Sequence, residues 1–370
     1  MRTWRPSMRK AAIASGVIGL VLMIGAGLMA WWITPSYIAR LPGDWNKTRT
    51  YTGTIRSLVD PAALASGNLA AAIKTGVPEK LSRVVKVQQT SGNTALVKDA
   101  TTVDAAGRPL ASLTSNYALD RQSLEATGSH PSNWTVVNAK GLTVSWPLGA
   151  QRHNYTGWVP QTESTTTLRY VKQEQHAGIN TYVYQASVPT TPVKNSQLLR
   201  NLPKALPVGL LHTISAAGLI SSSELAGLAR AFPHATTIPL GYTYSATSTY
   251  WVAPSTGLVV DTSTAERQLG GIKLPTGKVV PLLPVLSDSY HYTSGTVNTA
   301  VTDANNGSNT IHTWGVIVPI IAAIVGFLLL LLAVILWLRS RGAGQHLPPQ
   351  PSTAGPTAAA KTPDASRPVR

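Results

Sequence analysis

Residues 315–338 read GVIVPIIAAIVGFLLLLLAVILWL, with Trp314 before them and Arg339 and Arg341 behind. No charged residue interrupts this stretch. As a helix it would reach about 36 Å, at about 1.5 Å per residue, and the hydrocarbon core of a bilayer is roughly 30 Å thick. Helices of soluble proteins are rarely so long and so uniformly apolar. The sequence therefore predicts a transmembrane helix over residues 314–338.

A second apolar segment, AAIASGVIGLVLMIGAGLMAWWI, occupies residues 11–33. The apolar region of a secretory signal peptide spans only about 7–15 residues. This segment is longer, and it ends in Trp31 and Trp32, which suit a membrane–water interface. We predict an uncleaved transmembrane helix, with a signal peptide as the alternative. Small residues at four-residue spacing, such as Ala12 and Gly16, would let another helix approach closely, although small residues are also common in membrane helices generally.

Basic residues flank the two apolar segments unevenly. Residues 1–10 hold four of them and residues 339–370 hold five, whereas none lies between Lys278 and Arg339. Because Lys and Arg are enriched on the cytoplasmic side of membrane helices, both termini are predicted to be cytoplasmic and residues 34–313 to lie outside the cell membrane. The tail is rich in Gly, Pro, Ala, Ser and Thr, so residues 339–370 are predicted to be disordered.

The composition is that of a low-charge, turn-rich exported protein. Charged residues make up 12% of the 370, the formal net charge is +16, and there is no cysteine. The lack of cysteine excludes disulfide bonds, thiolate metal sites and a cysteine nucleophile. No basic run is interleaved with aromatic residues, so no nucleic acid partner is expected. With two Phe against twelve Tyr and ten Trp, the aromatic part of the core must come from Tyr and Trp.

The body of the chain, residues 34–313, alternates short β-branched runs with turns that contain Gly, Asn or Pro. This pattern is typical of antiparallel sheets. The clearest hairpin joins residues 164–175 to residues 181–189 through the turn HAGIN. Residues 48–60 and 141–149 are also predicted to be strands.

Residues 196–234 interrupt the strands with a Leu- and Ala-rich stretch. Ser221 and Glu224 have the spacing of a capping box that opens a helix. We predict a helical insertion that packs on the sheet, with contact to lipid or a partner as the alternative. Residues 300–313 are predicted to be a polar spacer. The predicted fold class is thus α+β, mainly β: curved antiparallel sheets with a helical insertion, flanked by an N-terminal and a C-terminal transmembrane helix.

None of the common catalytic or nucleotide-binding motifs occurs in the chain. No two histidines have the spacing of metal ligands; they are His130, His153, His176, His212, His234, His291, His312 and His346. The densest polar cluster is Asp288-Ser-Tyr-His291-Tyr, and nothing selects members of a triad from it. We therefore expect no catalytic, cofactor-binding or metal-binding residues, no cofactor and no enzymatic activity. An envelope hydrolase is the least favoured alternative.

Four short motifs accompany this layout. They are Tyr51-Thr-Gly-Thr54, Gly141-Leu-Thr-Val-Ser-Trp-Pro147, Gly178-Ile-Asn-Thr-Tyr-Val-Tyr184 and Trp251-Val-x-Pro254-x-x-Gly257-x-Val-Val-Asp261. In these motifs, and in its order of helix, β-rich domain, helix and Pro-rich tail, the chain resembles the actinobacterial PorA-like membrane proteins over about residues 11–340. The porin name implies a pore. The strand spacing is also similar to that of the curved half-barrel sheets of lipoprotein carriers, which hold apolar ligands.

These observations favour a non-enzymatic module that binds lipid or an envelope partner, or that organises the envelope. Its expected partners are membrane lipids and an envelope lipid or protein. A subunit of an oligomeric pore is the main alternative, because two helices alone cannot enclose a pore. Neither predicted membrane helix carries a charged residue of the kind that marks an ion path. The oligomeric state stays open.

Overall fold

The computed structural model describes residues 5–38, 40–60, 63, 66, 68–200, 202–216 and 220–342. Most of the tail that the sequence predicts to be disordered, from residue 343 onward, lies outside the described residues, as do residues 1–4. The chain divides into two compact units, Met1–Gly27 with Pro319–Arg370, and Leu28–Val318.

Antiparallel strands make up most of the larger unit. They are β1 (Asn46–Val59), β2 (Ile73–Lys74), β3 (Val77–Ser91), β4 (Thr94–Ala105), β5 (Arg108–Asp120), β6 (Tyr155–Val159), β7 (Ser164–His176), β8 (Ile179–Pro192), β9 (Ala205–Pro207), β10 (Thr237–Val252), β11 (Val259–Lys273) and β12 (Val279–Tyr292). The helices are α1 (Arg5–Leu28), α2 (Leu69–Ala72), α3 (Ser196–Arg200), α4 (Val208–Ala216), α5 (Ser222–Ala231), α6 (Ser294–His312) and α7 (Val318–Gly342), with π-helical turns at Met29–Ile38 and Thr313–Ile317.

In the described part of the chain the strands form one curled antiparallel sheet. Ten of them follow the order β5-β4-β3-β1-β12-β11-β10-β8-β7-β6, while β2 pairs with β1 and β9 pairs with β10. The first long strand and the last one are neighbours in the middle of this sheet, where Tyr51 faces Tyr292. The sheet curls into a half-barrel. These features confirm the predicted fold class. The hairpin predicted from residues 164–175 and 181–189 is β7 paired with β8.

The segment between β5 and β6, residues 121–154, runs between the two edges of the sheet. Its isolated bridges join Leu119 to Ala126, Glu125 to Leu142 and Leu142 to Gly157. Backbone hydrogen bonds therefore continue from β5 to β6 through this segment. The two edge strands are paired here instead of offering free edges to another chain.

The prediction of a strand over residues 141–149 is wrong. Within this stretch Leu142 alone forms β-bridges, and no residue belongs to a strand. Gly141 and Gly149 adopt φ values of +70° and +71°, which end an extended run at both sides. The β-branched residues that suggested a strand pack against the sheet from a loop instead.

The main core joins both ends of the sheet. Its buried members include Val97 and Leu119 from β4 and β5, and Tyr184 and Val252 from β8 and β10. Trp146, from the loop between β5 and β6, lies between Tyr184 and Tyr250, with ring centroids 5.2 Å and 5.1 Å away. Each such aromatic pair contributes about 0.5–1.5 kcal/mol beyond the burial of its surface. Tyr and Trp thus build the aromatic core, as the composition predicts.

The helical insertion covers one end of the sheet. The capping box is present: Ser221 Oγ accepts from the Glu224 backbone N–H at 3.1 Å, and the Glu224 carboxylate accepts from the Ser221 N–H at 2.7 Å. Leu211 and Ile214 of α4 and Leu228 of α5 are buried together with residues of β10 and β11. The apolar face of the insertion therefore packs on the sheet.

Helix α6 replaces the polar spacer predicted over residues 300–313. Thr293 caps it by accepting from the Thr296 backbone N–H at 3.2 Å. Ala300 and Ala304, one turn apart, are fully buried against Leu258 and Val260. Asn, Thr and Gly dominate the rest of the helix and have low helix propensity, so packing of this small-residue face must stabilise it.

Helices α1 and α7 belong to the smaller unit. Two described helical stretches are long and apolar enough to cross a membrane, Arg9–Thr34 and Ser294–Arg341, the second of which includes α7. Only 17% and 6% of their most apolar windows are buried, unlike the core helix of a soluble protein. Most large apolar side chains of both helices are exposed. They have the length and surface of membrane-spanning helices.

Small residues form the contact between α1 and α7. A Cβ atom placed on Gly19 would lie 2.6 Å from the Gly326 carbonyl oxygen, so only glycine permits this backbone approach. A Cβ atom on Gly16 would lie 3.5 Å from the Ala333 Cβ. The prediction that small residues of the first segment allow close helix packing is confirmed.

The pairing of these helices can be tested by a disulfide, because the chain has no cysteine of its own. The Cβ separation of Gly16→Cys and Ala333→Cys fits the roughly 3.5–4.5 Å of a disulfide. We expect mild oxidation to link these two positions within one chain, as measured by mass spectrometry of the joined peptides. Adding Gly19→Val should reduce the yield severalfold. Adding Gly25→Val should not, since nothing lies within 4 Å of a Cβ there; equal yields would contradict the packing described.

Candidate functional site

The inner face of the half-barrel is built by strand alternation. On β12, Asp288, Tyr290 and Tyr292 point to the same face because they occupy every second position. Tyr51 of β1 stacks edge-on with both tyrosines, at 5.6 Å from the ring of Tyr290 and 4.9 Å from that of Tyr292. Leu81 of β3 extends the same row. These residues form an apolar cluster on the inner face.

A cavity of about 460 Å³ lies at the end of the half-barrel where α6 packs. This volume falls in the range of about 300–1,000 Å³ that is usual for small-molecule sites. Its lining comes from the segment before β1, from β1, β3, β12 and α6, from the β5–β6 loop and from the β10–β11 turn. Apolar side chains dominate it: Leu41, Trp45, Val85, Leu124, Val144, Leu148, Leu258, Val259 and Ile311.

Two of the motifs that carry the family resemblance meet at this cavity. The Trp146 backbone N–H and the Ser145 hydroxyl both donate to the Gly257 carbonyl, at 3.1 Å and 2.7 Å. Gly257 has φ +67°, and a Cβ atom there would lie 2.1 Å from the Trp146 carbonyl oxygen. Ser145 and Leu258, next to these contacts, line the cavity. The motifs thus have a structural role in fixing one wall.

Charged residues also line the cavity. Arg83 Nε and Nη2 donate to the two carboxylate oxygens of Asp99, at 2.9 Å and 2.7 Å. Lys47 Nζ and Arg49 Nη2 both contact Asp303 of α6, each at 2.8 Å. The two ion pairs of Asp303 join α6 to β1, and the pair of Arg83 with Asp99 joins β3 to β4.

Three buried carboxyl groups lie on the inner face beyond the tyrosines. Glu266 accepts from the hydroxyls of Tyr244 and Tyr290 at 2.8 Å and 3.3 Å. Both carboxyl oxygens of Glu79 and one of Asp288 are buried and accept from no other group among the described residues, and the two carboxyl groups interact with each other. Burial raises the pKa of Glu79 to about 7. Burial, with the charges of Glu266 and Glu79, raises the pKa of Asp288 far above its usual range.

Gly53 makes room for this group. It pairs with Glu79 on one side and with Tyr290 on the other. A Cβ atom at Gly53 would lie 2.5 Å from the Ser289 carbonyl oxygen and 2.7 Å from the Tyr290 Cβ. The glycine of the first motif therefore lets β1 and β12 approach closely beside the carboxyl groups.

The structure separates the polar cluster that the sequence singled out. Asp288 is buried on the inner face, whereas His291 lies on the other face and is exposed. A different histidine has an acidic partner. His176 Nε2 lies 2.8 Å from Asp261 Oδ2, and the His176 ring stacks on Trp251. Among the described residues, no group of three or more His, Asp or Glu could hold a metal ion.

Sequence reasoning missed the residues that line the cavity. Lys47 and Arg49 stand at alternate positions of β1, which places them on one face, whereas the predicted strand began at residue 48 and included only Arg49. That signal was visible, but their partner Asp303 lay in a segment predicted to be a spacer. The small residues Thr296, Ala300 and Ala304, spaced by four, could have indicated the helix.

The buried carboxyl groups predict a pH dependence of stability. Each folded-state pKa lies above the unfolded value near 4, so their contribution is complete below about pH 4 and is lost as the pH rises through the folded values. For the full chain in detergent, we expect the free energy of unfolding in urea to fall by on the order of 1–3 kcal/mol between pH 5 and pH 8. The variant Glu79→Gln/Asp288→Asn should flatten this slope.

The matched control is Glu163→Gln/Asp44→Asn, which removes two exposed carboxylates. It should leave the slope unchanged. A wild-type stability that rises over this pH range, or an unchanged slope in Glu79→Gln/Asp288→Asn, would contradict the assignment.

Comparison with known proteins gives a family. No curated protein matches the chain. One solved structure, an acyl-CoA thioesterase II from Mycobacterium marinum, aligns at 12% identity over 68% of this chain and 82% of its own, with a TM-score of 0.12. That likeness is too slight to support an argument. The sequence model described as Porin PorA matches residues 11–335. The chain, with its two apolar helices and its β-rich half-barrel, therefore belongs to the PorA family of membrane proteins.

Proposed function

We propose that this protein is anchored in the cell membrane by α1 and α7 and presents its half-barrel outside as a non-enzymatic lipid-binding module. The basic residues at both ends of the chain support cytoplasmic termini, and hence an extracytoplasmic position for residues 34–313. Envelope lipid is the proposed ligand, and an envelope protein could receive or deliver it.

The cavity is the observation that carries this proposal. Its wall is mostly apolar, and the barrel encloses it on the side of the sheet that is buried. Small apolar ligands bind in such concave, largely preformed sites. A volume of about 460 Å³ accommodates a small amphiphile or part of a larger lipid.

The sequence positions of some lining residues also support lipid as the ligand. Its lining includes Pro42, which follows the turn Met29–Ile38, and Ile311, which precedes the turn Thr313–Ile317. Because a residue spans at most about 3.6 Å, Ile311 lies within about 11 Å of the exposed Trp314, three residues further along the chain. Exposed tryptophans of this kind suit the membrane–water interface.

The lining favours binding over catalysis. No histidine is among the described residues that line the cavity. The Ser145 hydroxyl, which does line it, donates to the Gly257 carbonyl at 2.7 Å and faces no base. General base catalysis needs a titratable group within hydrogen-bond reach of the nucleophile.

Lipid bound to the purified full chain tests the proposal. We expect native mass spectrometry and lipid extraction to find about one lipid per chain. Val144→Trp should lower the bound lipid severalfold because the larger side chain fills the cavity. Val171→Trp is the matched control, since Val171 is exposed on β7 and does not line the cavity. A wild-type chain that carries no lipid, or equal loss in both variants, would refute lipid binding.

The proposed topology has its own test. Protease added to intact cells should cut within residues 34–313, because the half-barrel is expected outside the membrane. A reporter fused behind Arg370 should stay protected in the cytoplasm. A protected half-barrel together with an accessible reporter would reverse the orientation.

A second candidate function is a subunit of an oligomeric pore, which the description of the family favours. Two apolar helices per chain require several chains to surround an aqueous path. Discrete conductance steps in planar bilayers, together with one large assembly of defined mass, would support a pore over a lipid-binding module.

A further inference from the structure

One wall of the cavity carries more positive than negative charge. Among its described lining residues, the basic ones are Arg40, Lys47, Arg49 and Arg83, and the acidic one is Asp303. The Arg83 charge is compensated by two hydrogen bonds to the Asp99 carboxylate. Arg40 has an interaction of its own. The charge balance of the site therefore depends on Lys47 and Arg49, with Asp303.

Lys47 and Arg49 share a single carboxylate. Lys47 Nζ lies 2.8 Å from Asp303 Oδ1, and Arg49 Nη2 lies 2.8 Å from Asp303 Oδ2. The side chains of Lys47, Arg49 and Asp303 are 33%, 10% and 18% exposed. Two cations and one anion thus leave one positive charge where water reaches it poorly. Such a place favours a second anion.

The surroundings of this pair are polar on one side and apolar on the other. Asn306 and Thr310 of α6 line the cavity with Asp303, and their spacing of three and seven residues places all three on one helix face. Leu124 of the β5–β6 loop and Leu258 of the β10–β11 turn contribute apolar lining from other elements. A ligand that satisfies both sides must have a polar head and an apolar chain.

We propose, on the basis of the lipid-binding function above, that the cavity takes an anionic amphiphile whose phosphate or carboxylate head is held by Lys47 and Arg49. Arg49 supplies directed N–H donors and Lys47 a compact charge, and hydrogen bonds between such cations and an anion are about twice as strong as neutral ones. The apolar chain lies against Leu124 and Leu258. A neutral head leaves the excess charge uncompensated and binds more weakly.

Calorimetric titration of the full chain in nonionic detergent tests this with three probes: decyl phosphate, decanol and inorganic phosphate. Protein-free micelles are the blank, because both decyl probes enter micelles. We expect decyl phosphate to bind about tenfold or more tightly than decanol at low salt, as a charge-assisted pair requires. Inorganic phosphate should bind far more weakly than decyl phosphate. The preference for decyl phosphate should shrink as salt screens the charges.

Two double variants decide where the preference originates. Lys47→Gln/Arg49→Gln should reduce the preference for decyl phosphate to about threefold or less. Arg56→Gln/Lys80→Gln removes the same charge from exposed positions on β1 and β3 and should leave the preference intact. Equal loss in the two double variants would overturn the proposal. Thermal unfolding of each variant confirms that it is folded.

Asp303→Asn should change the affinity for decyl phosphate in the opposite direction. Removing this carboxylate takes away a negative charge beside the incoming anion, so decyl phosphate should bind more tightly. If Asp303→Asn weakens the binding of decyl phosphate as much as Lys47→Gln/Arg49→Gln does, the three residues serve only to hold α6. That result would overturn the proposal.

The probes also distinguish the two proposals from each other. Equal binding of decyl phosphate and decanol would overturn the anionic head group but leave lipid binding standing. Binding of neither would overturn lipid binding itself. If inorganic phosphate binds as tightly as decyl phosphate, the site recognises the anion alone and the apolar chain contributes nothing. That result would also overturn this inference.

Discussion

The pairing of β1 with β12 is the contact on which the larger unit depends. The first and last long strands are neighbours in the middle of the sheet, so the chain segments before β1 and after β12 leave the half-barrel at the same end. The Thr34 hydroxyl lies 3.3 Å from the Trp314 carbonyl oxygen and joins these two segments. The same arrangement places α6 over the interior, where Asp303 contacts Lys47 and Arg49. Cavity, ion pairs and helix therefore follow from one strand pairing.

Features that depend on nearby residues could be predicted from the sequence. The two apolar helices, the hairpin of β7 and β8 and the capping box at Ser221 each need only a periodic pattern or a fixed spacing. The mainly β fold class also followed from composition and turn spacing. In each case the physical cause lies within about 25 residues of chain, which is the range over which a pattern can be recognised.

Features that depend on distant residues could not be predicted. Glu79 and Asp288 meet only because β3 and β12 both pair with β1. Helix α6 was missed because its residues have low intrinsic helix propensity, and only the packing of Ala300 and Ala304 on the sheet stabilises it. The strand predicted over residues 141–149 does not form. Gly141 has a positive φ, and Leu142 bridges to Gly157 of β6, a contact for which the sequence has no local signal. The candidate site combines such long-range contacts, so it was not visible in the sequence.

The central position of β1 also has a consequence for biosynthesis. Thr50 donates its backbone N–H to Thr296, a partner 246 residues later in the chain. At a translation rate of about 5–20 residues per second, β1 waits on the order of 10–50 s for β12 to be made. During that time β1 and β3 have an open edge and an unfilled inner face, which are the features that promote aggregation. A nascent chain of this protein therefore needs a holding factor, or the membrane itself, to shield half a sheet until its last strand arrives.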